Sequence, residues 1–152
     1  MAITTPLSLK GRALRLLSAR EHSRAELERK LAQHEEEPGT LAQALDELQT
    51  KGFINEQRVV ESVLNRRSAK LGTARIRQEL QGKGLAPDAV LDAVAQLRAT
   101  EVERAREVWR KKFGEPPTDV AERGKQVRFL ASRGFGGDTI HKVVSGCFDE
   151  EA

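Results

Sequence analysis

Two stretches of the chain invite a phosphate-binding reading: QGKGLA at residues 81–86 and SRGFGGDT at residues 132–139. A nucleotide-hydrolysing loop needs a glycine-rich turn between a strand and a helix, with a lysine at fixed spacing to reach the phosphates. Neither stretch has that spacing or a preceding strand, so these glycines read as helix ends where positive φ is required. Metal chemistry fares no better. His22, His34, His141 and Cys147 are scattered, and no pair has the spacing of a ligand knuckle or of two histidines on one helix face. The histidines are expected on the surface, and no cofactor is expected. Asp149, Glu150 and Glu151 follow Cys147 and would raise its thiol pKa, so a buried or half-buried thiol is expected rather than a nucleophile. An enzyme reading lacks any convergent acid, base or metal set.

Cations are the better candidates for a site. Residues 62–78 hold Arg66, Arg67, Lys70, Arg75 and Arg77 with no acid among them. Clustered cations neutralise phosphates and release counterions, and a solvated helix face is the plainer alternative for the same residues; the contact reading is preferred. Arg66 and Lys70 stand one turn apart on the flank of an apolar stripe formed by Val59, Val60, Val63 and Leu64. Arg67 continues the line of Val60 and Val63, so its stem is expected to pack while its head emerges. A second run, Arg110, Lys111 and Lys112, either extends the basic face or simply suits the closing turn of a helix. With Lys83 added, the candidate contacts to nucleic acid or to a partner surface are Arg66, Arg67, Lys70, Arg75, Arg77, Lys83, Arg110 and Lys111. Trp109, the one tryptophan, follows Val102 and Ala105 at helical spacing and is expected in a core rather than under a nucleobase. Glu35, Glu36 and Glu37 read as a solvated linker.

The elements that must position these cations come from a repeat. At an offset of 50, Leu80 matches Leu130, Gly84 matches Gly134, Val90 matches Ile140 and Val94 matches Val144. At an offset of 49, Leu27 matches Ile76, Leu31 matches Leu80, Leu41 matches Val90 and Leu45 matches Val94. A period of this length marks an array of supersecondary units, here residues 1–52, 53–98 and 99–152. Charge follows the same rhythm, since each unit opens basic and closes acidic. Residues 58–85, for example, carry seven Lys and Arg against two Asp and Glu, whereas residues 86–103 carry one against four. Such alternation suits a partner presenting phosphate and charged protein surface together.

Apolar spacings of three and four recur and strand alternation is absent, so the fold class is all-α. Three helices per unit are expected, in an elongated, curved array. Ser23 with Glu26, Thr40 with Gln43, and Thr100 with Glu103 have capping-box spacing, and Asn55 is an expected N-cap. The helix opened at Asn55 is expected to run to about Lys70. Charged residues make up 32% of the 152 and aromatic residues 4%, which argues against a large rigid pocket. No apolar run of membrane-spanning or signal-peptide length is present, and one cysteine is consistent with a reducing compartment, so a cytoplasmic monomer is expected.

The segment KGFINEQRVVESVLNRRSAKLGTARIRQELQGKGL, residues 51–85, resembles the signature region of the RecX family of bacterial recombinase regulators. Arg58, Ser62, Arg67, Gly72, Arg75, Ile76, Arg77, Glu79, Leu80, Lys83, Gly84 and Leu85 match the family pattern in order. Val59 and Val60 stand where the family usually has an aromatic residue and an alanine. The resemblance implies a non-catalytic protein that binds the RecA recombinase and the RecA–DNA filament, lodges in the filament groove, and inhibits ATPase, strand exchange and coprotease activities. It also implies a role in homologous recombination and the SOS response. Weak direct DNA binding remains open. So does the alternative of a helix-turn-helix-like module that binds DNA without the recombinase, because three-helix units with basic second helices also describe such readers.

Overall fold

The computed structural model describes residues 7–146. Among them are nine α-helices, one short 3-10 turn at Ala32–His34, and no strand. The helices are α1 (Leu9–Ala19), α2 (Arg24–Leu31), α3 (Thr40–Thr50), α4 (Glu56–Arg67), α5 (Thr73–Gly82), α6 (Pro87–Ala99), α7 (Glu101–Lys112), α8 (Val120–Ser132) and α9 (Gly137–Val144). They fall into three triplets, each around its own core. Ala13, Leu27, Leu31, Leu41, Leu45, Leu48 and Ile54 form the first, and Val59, Val63, Ile76, Leu80, Val90, Val94 and Leu97 belong to the second. Ala105, Trp109, Leu130, Phe135, Ile140, Val143 and Val144 form the third. The repeat offsets therefore select equivalent core positions: Leu31, Leu80 and Leu130 are all buried, as are Leu45, Val94 and Val144.

Local chemistry explains most helix starts. Ser23 and Glu26 form a complete capping box, in which Ser23 Oγ accepts from the Glu26 amide and the Glu26 carboxylate accepts from the Ser23 amide. Asn55 Oδ1 accepts from the Arg58 amide at 2.9 Å, and Asp119 Oδ1 accepts from the Glu122 amide at 2.7 Å. The other two expected boxes do not form. Thr40 lies inside α3, whose N-cap is Gly39 at a φ of 91°. The Glu35 carboxylate caps this helix instead, accepting from the Gly39 and Leu41 amides at 3.1 and 2.9 Å. The acidic run is thus partly a helix anchor and not only a solvated linker. Thr100 joins α6 directly to α7 with φ −118° and ψ 9°, outside the extended geometry that aims a hydroxyl at first-turn amides. Its hydroxyl donates to the Leu97 carbonyl and accepts from Arg104 Nε.

The three units are joined by a junction built twice. Between the first two, Ser23 Oγ donates to the Lys83 carbonyl, and Arg29 Nη2 donates to the Gly82 carbonyl at 3.0 Å. Between the second and third, the Gly72 amide donates to the Arg133 carbonyl at 2.7 Å, and Arg75 Nη1 donates to the Ser132 carbonyl at 2.7 Å. The start of the middle helix in each of the first two units thus receives the turn after the middle helix of the next. Gly84 and Gly134 occupy the two turns with φ of 69° and 94°. Gly72 has an ordinary φ, but a Cβ there would lie 2.3 Å from the Gly134 carbonyl carbon, so space rather than dihedral demands the glycine.

Candidate functional site

The structure distributes the eight candidate cations into different roles, most of them around this second junction. Arg66 and Arg67 are exposed on α4, yet both reach the Glu79 carboxylate on α5, at 3.4 and 3.0 Å. The stretch without acids in sequence acquires one in space, because the turn between α4 and α5 folds Glu79 back against it. Lys70 lies beyond α4, which ends at Arg67 rather than near Lys70. The intervening turn is fixed by Arg104 of α7, whose guanidinium donates to the Ser68 and Leu71 carbonyls at 2.9 and 2.6 Å. Arg104 also reaches Thr73 Oγ1 and the Leu97 carbonyl, at 3.3 and 3.0 Å. Burial lowers the pKa of this guanidinium, against an opposing pull from the Glu101 carboxylate.

Arg75 is committed to the junction through Ser132, and a Cβ on Gly134 would lie 2.3 Å from its Cγ. Lys83 is buried, with its ammonium 3.4 Å from the Glu26 carboxylate, which also binds Arg20 at 2.7 Å. This corrects its place among the accessible contacts: its charge is enclosed between the first and second units. Burial raises the Glu26 pKa, but the Arg20 guanidinium, the Ser23 amide and the Lys83 ammonium outweigh it and hold the carboxyl at about 2. Arg110 pairs with Glu107 within α7. Lys111 is exposed beside Lys70, and Arg77 is exposed on α5.

The junction leaves two concave surfaces. One is an open cleft of about 410 Å³ that brings Arg77 and Gln78 of α5 opposite Arg98 of α6, with Glu101 and Gly136 at its base. Glu101 is buried and bridges two units, accepting from the Thr73 amide at 3.2 Å and the Gly136 amide at 3.0 Å. Burial raises its pKa, but Thr73, Gly136 and Thr139 outweigh that and keep the carboxylate below its usual range. Its charge therefore serves the junction and the amino end of α9. The other surface is a groove beside α7 and α8 where Lys70 and Lys111 are joined by Lys112 and Arg133. Arg98 and Arg133 were not singled out from sequence, whereas Lys112 was named there with the second basic run. Arg133 could have been found, since it occupies the repeat position of Lys83 at an offset of 50.

Two further residues settle into structural roles, one of them against expectation. Trp109 is in the third core, with Nε1 donating to Gln126 Oε1 at 2.8 Å. His22 is buried rather than on the surface, with Nδ1 3.0 Å from the Arg20 carbonyl and Nε2 3.0 Å from Lys30 Nζ. Burial lowers its pKa below the usual imidazole value, despite the Arg20 carbonyl. Cys147 lies outside the described residues. Among those described, no group of three or more His, Cys, Asp or Glu is placed to hold a metal, and no helix is long and apolar enough to cross a membrane.

Comparison with known proteins covers all three units. Family models described as the first, second and third three-helix domains of RecX match residues 10–48, 55–94 and 99–144. The chain is 55% identical over 145 residues to the regulatory protein RecX of Leptothrix cholodnii, covering 95% of this chain and 92% of that one. It is 49% identical over 141 residues to the regulatory protein RecX of Ralstonia nicotianae, covering 93% and 89% of the two chains. The crystal structure of RecX from Lactobacillus salivarius has the same fold, with a TM-score of 0.75 at 20% identity over 91% of this chain and 93% of that one. Equivalent cores, a junction made twice and matches spanning every unit lead to one conclusion: the chain belongs to the RecX family of regulatory proteins.

Proposed function

We propose that this chain is a non-catalytic, monomeric regulator in the cytoplasm that binds the RecA recombinase and seats in the groove of its DNA filament. There it restrains ATPase, strand exchange and coprotease activities. The observation that carries this reading is the family match across all three units, since a groove ligand depends on the whole array rather than on one pocket. The cation distribution supports it. Lys70, Arg77, Arg98 and Lys111 have no ion pair among the described residues, and they surround a junction that is itself tied by charged and backbone hydrogen bonds. Free cations held in fixed relation across two units suit a surface of phosphate and protein acids.

A second reading has its own observation. On α5, Ala74, Arg77, Gln78 and Gln81 line one exposed stripe of the cleft, and the three polar side chains make no hydrogen bond within the described chain. A helix with unspent donors is what a reader of nucleic acid presents without the recombinase. The deciding experiment titrates the chain into the single-stranded-DNA-dependent ATPase of the cognate RecA, with anisotropy of the same DNA measured alone. Inhibition well below one chain per recombinase, with weak binding to bare DNA, is the expected result. Inhibition only once the DNA is saturated would favour direct DNA binding.

A further inference from the structure

The groove beside α7 and α8 holds an arrangement that a phosphate contact does not use fully. Lys70, Lys111, Lys112 and Arg133 rim it, no carboxylate among the described residues lines it, and Val108 and Phe129 supply an apolar floor in a volume of about 240 Å³. Arg133 and Lys112 lie over the Phe129 ring, 4.8 and 5.5 Å from its centroid, and Phe113 meets that ring edge-on at 5.4 Å. The cations are thus collected from two units and partly oriented by an aromatic ring.

We propose that this groove binds a short acidic peptide segment of a partner protein that carries one apolar side chain. The apolar side chain covers Val108 beside the cation-capped Phe129 ring, and flanking carboxylates meet the four cations. Carboxylates add to those cations where they stand, whereas a nucleobase must displace a cation–π contact before it can stack on the ring. An apolar floor also adds little to a phosphate, but it gives a desolvated anchor to a side chain. The inference does not depend on the recombinase reading, and its test contains neither recombinase nor filament.

The test is fluorescence anisotropy of the labelled peptide Gly-Asp-Glu-Phe-Asp-Glu-Gly with the full chain. Saturable binding is expected, weakened about tenfold when Lys70→Glu and Lys111→Glu are combined. These side chains have no ion pair among the described residues, so unchanged circular dichroism is expected for the variant. Phe129→Leu, which keeps an apolar floor, should weaken binding less than the double reversal. A peptide with serine in place of phenylalanine should bind several-fold more weakly, and a thymidine oligonucleotide of equal charge should fail to displace the original. Equal binding by the serine peptide, displacement by the oligonucleotide, or no binding at all would each overturn the proposal. So would binding that emerges only after residues 147–152 are deleted, because the chain's own acidic end would then be the occupant.

Discussion

Replacing Gly72 by alanine tests whether the junction between the second and third units is held by close backbone approach. The new Cβ would lie 2.3 Å from the Gly134 carbonyl carbon and 2.4 Å from both the Gly134 oxygen and the Phe135 nitrogen. All three are backbone atoms, so a side-chain rotation cannot relieve the clash, and the two units must separate by roughly 1 Å to restore ordinary contact. That movement stretches the Gly72–Arg133 bond at 2.7 Å, the Ala74–Gly134 bond at 3.2 Å and the Arg75–Ser132 bond at 2.7 Å. At about 1 kcal/mol each, their loss costs about 3 kcal/mol. The lower entropy of the unfolded alanine chain returns up to about 1 kcal/mol, leaving a net loss of about 2 kcal/mol. Urea denaturation followed by Trp109 fluorescence and by circular dichroism measures it, with Gly82→Ala as control because a Cβ on Gly82 meets nothing within 4 Å. If the two variants unfold at the same urea concentration, close approach does not hold the junction.

Acid should weaken the other junction. Glu26 is depressed to about 2 from an ordinary 4.5, so its contribution is fully present above pH 4.5 and is lost as pH falls toward 2. The whole window is worth about 3 kcal/mol, and Glu26→Gln should flatten that part of the stability–pH curve. Arg104→Lys should lower stability by about 2 kcal/mol in a thermal melt, because one ammonium cannot serve carbonyls of Ser68, Leu71 and Leu97 together. Arg77→Glu with Arg98→Glu should raise the concentration needed for half-inhibition of the recombinase ATPase by about tenfold, with the melt unchanged. Leu80→Asp should abolish cooperative unfolding, since Leu80 is 0% exposed and a carboxylate there has no partner.

The fold was legible because burial repeats along the chain. Leu31, Leu80 and Leu130 announce the same core position, and the Ser23–Glu26 spacing announces a helix start that forms as expected. The site was less legible because ion pairing is decided by return of the chain. Lys83 is neutralised by Glu26 from 57 residues upstream, and Arg67 by Glu79 from 12 downstream, so a window of local charge misjudged both. Likewise His22 carries no local sign of burial, and Phe129 shares a groove with Lys70 only because the third unit packs against the second. Several signature residues of the RecX pattern, among them Arg75, Lys83 and Gly84, hold units together, Arg75 doing so from an exposed position.

Ser23 with Lys83 and Gly72 with Arg133 are equivalent pairs, displaced by 49 and 50 residues. The middle unit therefore carries both a socket, at the start of α5, and a plug, at the turn that follows it. A chain carrying residues 53–98 twice would join the added cassette through connectors of the kind it already has. The array would lengthen by one step without a new interface, which makes span a matter of counting cassettes.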